Sequence, residues 1–421
     1  MSLHITLSSS KPSSQSPNEE QDLPQELVDI IFDHLRDDKV SLRTCSTVCR
    51  AWLPPARCRL FRSIDIRCSL LRNTKKYHRL LTSLEESPEL AFYIQDLRVD
   101  HMLWCIGSQE AESLLGAIFD KMIEIRSLTL QGVYIPALPV HLRESLCSLF
   151  ALTTLRKLTL IEFNVQSFAE LVTLLTTCND LNCLVLHQIR WEDRGVIENS
   201  RGLVRPSVSG PKQVAPPAPP PDTHCFFPRE LKLGGVNYRN SRILLNFLGE
   251  SVEDFELDDI FGHHRFEGRC SIFLIATCSN VETDTPVDKA ADFIALGSMT
   301  SLRTLRLNPR QSMMSNPGSW VVSLLSSLKA SNCLENLFIR SKESHMKSMP
   351  GELDWEWYRV VDETLSCSAF PKLRTVDVNV TSIGPKEGPE TRNLNSFFPQ
   401  LGIRGILRAR FEYNLAQVTP V

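Results

Sequence analysis

The chain has no surplus of charge of either sign. Its 46 lysines and arginines and 49 aspartates and glutamates leave a net charge of −3 over 421 residues. That balance supplies no broad field to gather nucleic acid or an anionic membrane surface, and neither is expected as a partner. No run approaches the roughly 18 apolar residues of a membrane span. The opening stretch, MSLHITLSSSKPSSQSPNEEQD, has neither the basic segment nor the apolar stretch of a secretory signal. Its serine, proline and glutamate content makes residues 1–21 an expected disordered leader. CxxC pairs are also missing, and the 13 cysteines are odd in number and scattered. That excludes a zinc finger and gives no disulfide framework. Free thiols in a reducing compartment are expected, hence the cytoplasm or nucleus, where the sequon Asn379-Val380-Thr381 would go unused. There is no G-x-x-x-x-G-K-[ST], G-x-S-x-G or H-E-x-x-H, so no catalytic residue, cofactor or metal is assigned and no enzyme is expected.

What is abundant is a repeating strand pattern. IQDLRVD, IRSLTLQ, LRKLTLI, LNCLVLH, RELKLG, VEDFELD, LRTLRLN, LENLFIR and LRTVDVN each place an apolar residue at every second position. Helical patterns alternate with them: AESLLGAIFDKM, LRESLCSLFALT, SFAELVTLLTTC, RILLNFLGES, WVVSLLSSLKAS and EWYRVVDETLS. The central apolar residues recur at intervals of 31 (Leu97 to Leu128), 30 (to Leu158) and 26 (to Leu184), with 24 from Leu231 to Phe255 and 32 from Leu305 to Leu337. Such a period marks an array whose units bury their apolar faces only by stacking. The L-x-x-L-x-L core resembles leucine-rich repeats. The resemblance implies an α/β fold in which residues 59–421 form an irregular solenoid with parallel strands on the concave face. The interval from Leu184 to Leu231 is 47 and contains GPKQVAPPAPPPD (Gly210–Asp222), so residues 195–225 read as a proline-rich disordered insertion. NVETDTPV (Asn280–Val287) puts Asp284 and Pro286 at inward positions and reads as a weak or distorted repeat.

Ahead of the array lie two short helical patterns. In LPQELVDIIFDHL, Asp22 is expected to cap the helix in a capping box with Gln25, with Pro24 in its first turn. Leu27, Ile30, Ile31 and Leu35 then share one face. In a second helix Leu42, Cys45, Val48, Cys49 and Trp52 form a stripe, with Pro54 and Pro55 ending it. RLFRSIDI (Arg59–Ile66) then returns to strand alternation. So small a unit cannot hide all these residues in its own core, which argues for a partner.

These residues closely resemble the F-box. Leu23-Pro24, Glu26-Leu27 and Ile31-Phe32 match its first half, and Leu42, Cys45, Val48, Cys49, Arg50 and Trp52 match its L-x-x-C-x-x-V-C-[KR]-x-W second half. With the repeats that follow, the chain looks like the large F-box families of fungi. The resemblance implies an F-box over residues 22–58 that docks on a Skp-type adaptor, and through it a cullin ubiquitin ligase, while the repeats hold a protein substrate. Leu23, Pro24, Leu27, Ile31, Leu42, Val48 and Trp52 would then be the adaptor-binding residues, some of them shared with the unit's own core. A non-degradative interaction scaffold is the alternative function.

Other clusters read more plainly. Cys45 and Cys49, four residues apart, and Cys178, Cys183 and His187 are expected to be packing positions rather than metal ligands. Asp258-Asp259 with His263-His264 reads as a solvated loop, and Trp355, Trp357 and Tyr358 as core. The acids of VEDFELDD offer a substrate site. Asp254, Glu256 and Asp258 alternate with Phe255 and Leu257, so all three face one way. With only Lys232 alongside, next to Glu230, they form an expected uncompensated acidic stripe for a basic substrate segment.

Overall fold

The computed structural model describes residues 23–68, 74–102, 106–191, 228–235, 238–248, 251–258, 296, 299–308, 317–328, 333–344, 356–366, 370–383 and 394–414. The leader, the proline-rich insertion, NVETDTPV, His263-His264 and Trp355 lie outside them. The chain divides into two compact units, one ending at Arg62 and one beginning at Ser63.

The first unit has helices α1 (Gln25–His34), α2 (Lys39–Cys45) and α3 (Leu53–Phe61). Pro24 stands just before α1 rather than inside its first turn. Its carbonyl accepts from the N–H groups of Leu27 (3.0 Å) and Val28 (3.2 Å), and no side chain caps the helix. Gln25 donates to Asp29 at 3.2 Å instead of closing a box. Asp38 caps α2, accepting from the backbone of Val40 and Ser41 (3.0 and 3.1 Å) and the Ser41 hydroxyl (2.6 Å). Those bonds, the Ser41 hydroxyl first, hold its carboxyl below the usual aspartate range.

α2 is shorter than its apolar stripe suggests. The hydroxyls of Ser46 and Thr47 donate to the carbonyls of Arg43 (2.6 Å) and Thr44 (2.8 Å), taking acceptors that a longer helix would need. A turn follows, and Pro54 and Pro55 open α3 rather than end α2. In a first turn, proline lacks only an N–H that has no helical partner. α3 also holds Arg59–Phe61, so the strand expected from Arg59 begins at Ser63.

The core of this unit is Val28, Phe32, Leu42 and Ala56, with Leu35, Cys45, Trp52 and Leu60 packed on it. Phe32 and Trp52 meet edge to face, centroids 5.6 Å apart. The inward stripe of α1 is therefore Val28, Phe32 and Leu35, and not the expected Leu27, Ile30 and Ile31. Arg59 ties α3 to α1 through Asp33 at 2.7 Å.

The second unit is α/β, with twelve strands among the described residues in one sheet. They are β1 (Ser63–Arg67), β2 (Asp96–Asp100), β3 (Ser127–Tyr134), β4 (Lys157–Val165), β5 (Cys183–His187), β6 (Arg190–Trp191), β7 (Glu230–Gly234), β8 (Asp254–Asp258), β9 (Thr304–Asn308), β10 (Asn336–Ser344), β11 (Thr375–Ile383) and β12 (Leu407–Asn414). The main path runs in chain order and every pair is parallel, while the short β6 pairs β4 beside it. Parallel neighbours need a long return, and helices supply most of them. These are α4 (Lys75–Glu86), α5 (Leu90–Tyr93), α6 (Gln109–Asp120), α7 (Val140–Phe150), α8 (Phe168–Thr176), α9 (Tyr238–Leu248), α10 (Pro317–Ser326), α11 (Glu356–Ser366) and α12 (Pro399–Ile403). All nine strands and all six helices expected in the array are present. β1 falls within the alternation expected from Arg59, with a later start, and β6, β12, α4, α5 and α12 have no counterpart among the expected patterns.

Two apolar rows cross the sheet in register. One runs Ile64, Leu97, Leu128, Leu158, Leu184, Leu231, Phe255, Leu305, Leu337, Val376, Leu407. The second lies two residues further along each strand, from Ile66 through Leu160 and Leu257 to Ala409. Both rows are buried except at the edge residues Ile64, Leu407 and Ala409. The sheet passes straight from β5 to β7 and from β8 to β9, across the two long intervals.

A backbone repeat lies beneath this one. The residues after the matched positions Asp100, Gln131, Ile161, His187 and Gly234 are His101, Gly132, Glu162, Gln188 and Gly235. All five have φ between 51° and 64°. That conformation is rare outside glycine. Three of their N–H groups reach the neighbouring strand: His101 to the Gln131 carbonyl (2.7 Å), Gln188 to Gly234 (2.8 Å) and Gly235 to Asp258 (3.2 Å). These strands thus turn at one height.

Near the end of the sheet a buried carboxylate holds the last helix. Asp362 in α11, 1% exposed, accepts from the N–H groups of Gln400 (3.0 Å) and Leu401 (2.9 Å). α12 has Phe398 at its cap position and no cap of its own. Replacing Asp362 by Ala strands both donors and is expected to cost about 1–3 kcal/mol. A urea titration checks this: the midpoint should fall with little change in slope.

Candidate interaction surfaces

The first surface is on the helical unit. Val28, Phe32 and Leu35 turn α1 inward, yet Leu27 is 46% exposed and Ile30 53%. Leu23, at 50%, and Pro24 continue this outer stripe, and Ile31 is half-buried at its margin. At about 100° per residue the inner and outer stripes adjoin, so α1 is apolar around more than half its girth. Val40 and Val48 are exposed at 72% and 60%. Of the seven residues expected to bind an adaptor, Leu23, Pro24, Leu27 and Val48 are exposed, and Ile31 and Trp52 are half-buried. Leu42 is fully buried in the unit's own core, and Trp52 packs on that core. Ile30 and Val40 add apolar area that the motif match does not single out.

The second surface is the strand face opposite the buried rows. Along β8 the burial alternates, with Phe255 and Leu257 inward and Asp254, Glu256 and Asp258 outward. The stripe is not uncompensated, however, and that expectation is corrected by its neighbours. Asp254 is paired with Arg306. Glu256 receives Lys232 Nζ at 3.0 Å and Asn308 Nδ2 at 3.0 Å, and Lys232 also meets Glu230 at 3.1 Å. Asp258 also has a partner. Arg306 and Asn308 sit on β9, whose register places Arg306 beside Glu256 and Asn308 beside Asp258. Sequence reasoning missed them because it set NVETDTPV next to β8.

The charges respond to this pairing. Burial pushes the Lys232 ammonium down, but Glu256 and Glu230 outweigh it and raise its pKa. Burial pushes Glu230 up, and its bonds to Lys232 and Cys183 more than reverse that. A raised lysine stabilises the fold below its unfolded pKa and loses that contribution as pH rises through the folded value. A depressed glutamate stabilises above its unfolded pKa and loses it as pH falls through the folded value. The contribution of Lys232 and Glu230 is therefore level between the ordinary glutamate and lysine ranges, about 4.3 and 10.4.

Cys178 and Cys183 are buried packing groups. Burial pushes Cys178 up to about 12, and burial followed by the Glu230 charge pushes Cys183 up to about 11. Cys45 is half-buried against the helical core, but Cys49, expected at a packing position, is exposed and is not part of that core, because the turn after α2 carries it away from the stripe. Among the described residues no three His, Cys, Asp or Glu side chains are gathered as a metal site, and no helix is long and apolar enough to cross a membrane. Tyr358 is buried edge to face with Phe398, centroids 5.6 Å apart, and the Trp357 side chain lies outside the description.

Lys232 carries the expectation for this surface. Lys232→Met removes the cation that bridges Glu230 and Glu256, diagonal neighbours on two paired strands. The loss of stability at pH 7 should be no more than about 1 kcal/mol, since the groups are partly solvated. It should shrink as pH falls to about 4 and below, where Glu230 loses its charge. Melting curves of the variant and wild type at pH 7 and pH 4 read this difference.

No protein-family model matches the chain, and no curated protein matches it.

Proposed function

We propose that the chain is a substrate-recognition adaptor of a Skp-cullin-F-box ubiquitin ligase. On this reading the helical unit is an F-box and binds a Skp-type adaptor. The second unit is an irregular leucine-rich-repeat solenoid, strands on its concave side, and holds a protein substrate. The observation that carries the proposal is the outer stripe of α1. The unit fills its core with Val28, Phe32, Leu42 and Ala56 and still leaves Leu23, Leu27 and Ile30 exposed. The F-box resemblance lies in the same residues, with Leu23-Pro24, Glu26-Leu27 and Ile31-Phe32 in α1 and its approach.

The mechanism would be positional. An adaptor held at one unit and a substrate at the other make ubiquitin transfer effectively intramolecular, with the acceptor lysine on the substrate. No side chain of this chain reacts. The place of action would be the cytoplasm or nucleus.

Leu27→Asp with Ile30→Asp tests the adaptor role. Both residues are about half exposed, so the free chain should fold as before, by circular dichroism. A carboxylate pressed against an apolar partner costs several kcal/mol, so co-purification of a Skp-type protein should be lost. A folded double variant that still captures the adaptor would overturn the assignment. Turnover of a captured substrate by the complete ligase separates a degradative adaptor from a scaffold.

A further inference from the structure

Charge on the strand face is settled pairwise over most of the sheet. Arg67 pairs with Asp65, Arg98 with Asp100, Lys232 with Glu230 and Glu256, and Arg306 with Asp254. The pattern stops at the last three strands. There Arg340, Arg408 and Arg410 are exposed, and none makes an ion pair among the described residues. Register puts Arg340 and Arg410 in one row on either side of Asn379, with Arg408 in the next row beside Asp377. Asp377, half-buried, is the one acid in these two rows among the described side chains, and Glu412 holds the next outward position of β12 after Arg410.

The dimensions follow from sheet geometry. Two strands apart, Arg340 and Arg410 stand about 10 Å from each other, and Arg408 and Arg410 on one strand about 7 Å apart. An extended peptide spaces residues i and i+2 by about 7 Å and i and i+3 by about 10 Å. A guanidinium presents a fork that fits a carboxylate bidentately. Phe338, the aromatic beside this patch, has the Arg306 guanidinium over its ring at 5.2 Å. Its face is taken, so no bare aromatic is offered for base stacking, which disfavours a nucleic acid strand.

We propose that the strand face of β10–β12 seats an extended acidic peptide segment of the recruited protein, its carboxylates held by Arg340, Arg408 and Arg410. This rests on the substrate-adaptor reading and gives its substrate site a chemistry. It also reverses the sign expected from the β8 acids, whose charge is spent on Lys232 and Arg306.

The test uses the full chain and a fluorescein-labelled twelve-residue peptide of alternating Glu and Ser, read by anisotropy at low salt. Matched probes alternate Lys and Ser, or are an oligouridylate. The wild type should bind the Glu peptide and not the Lys peptide, and added salt should weaken it. Arg340→Gln, Arg408→Gln and Arg410→Gln together should weaken binding about ten-fold or more, since three exposed pairs are lost at once. Arg67→Gln, on the same face, should not. Equal affinity in the triple variant, or tighter binding of the oligouridylate, overturns the proposal. Adaptor capture is read in parallel. The triple variant should keep it. A wild-type chain that captures no Skp-type protein overturns the adaptor reading, and with it the identification of the peptide as a substrate segment.

Discussion

The second unit depends on one constraint, the register that lines up two apolar rows from β1 to β12. Side chains alternate along a strand, so a slip of one residue would turn Leu128, Leu158 and Leu184 outward and bring Thr129, Thr159 and Val185 in. Each inner strand of the path is held on both sides, and the rows stay buried wherever there are two neighbours. Ile64, Leu407 and Ala409, with one neighbour each on this path, are the half-exposed members. The same register sets which outward residues meet. Lys232 finds Glu256, and Arg306 reaches the acids of β8, because Leu231, Phe255 and Leu305 are in line.

That constraint explains what the sequence could be made to yield. Strand alternation in segments such as LRTLRLN is a local property, and nine of the strands could be read from it. Order along the main path follows chain order and was legible up to β8, whereas the pairing of the short β6 with β4 and the step from β8 to β9 were not. The helical stripe CSTVCRAW misled because an apolar periodicity does not reveal where Ser46 and Thr47 will turn their hydroxyls back onto α2. Proline was ambiguous for a related reason: it suits a helix start as well as it marks a helix end. The left-handed positions at or within the strand ends are occupied by His101, Gly132, Glu162, Gln188 and Gly235, five places with only two glycines. Nothing in His, Glu or Gln announces that backbone. At His101, Gln188 and Gly235 it comes with a bond from the N–H to the neighbouring strand, as His101 makes to Gln131.

Charge was the least legible property. Asp254 and Arg306 are 52 residues apart in sequence and belong to adjacent strands. A local reading sees the acids of β8 and the lysine before them, but cannot see β9. The arginines of β10 and β12 pose the converse case. Arg340 and Arg410 look like ordinary surface cations until register sets them in a row with Asn379 between them. Whether a charged strand face is a binding surface depends on what lies one strand away on each side, and that is a property of the assembled sheet.

The helical unit works under the opposite constraint, shortage of core. Four residues are buried in its cluster, and α1 supplies two of them, Val28 and Phe32. A side chain cannot fill that cluster and at the same time reach a partner. Leu42 matches the F-box pattern as well as Leu27 does, yet Leu42 is fully buried and Leu27 nearly half exposed. On the proposed F-box reading, the motif would mix residues that build the unit with residues left over for binding. The two sets are linked through one short helix, because the same turns of α1 carry both stripes. A partner that covers Leu23, Leu27 and Ile30 removes their apolar surface from water and also favours the helical state that seats Phe32. Binding on the outer stripe and packing on the inner one would then stabilise each other by mass action.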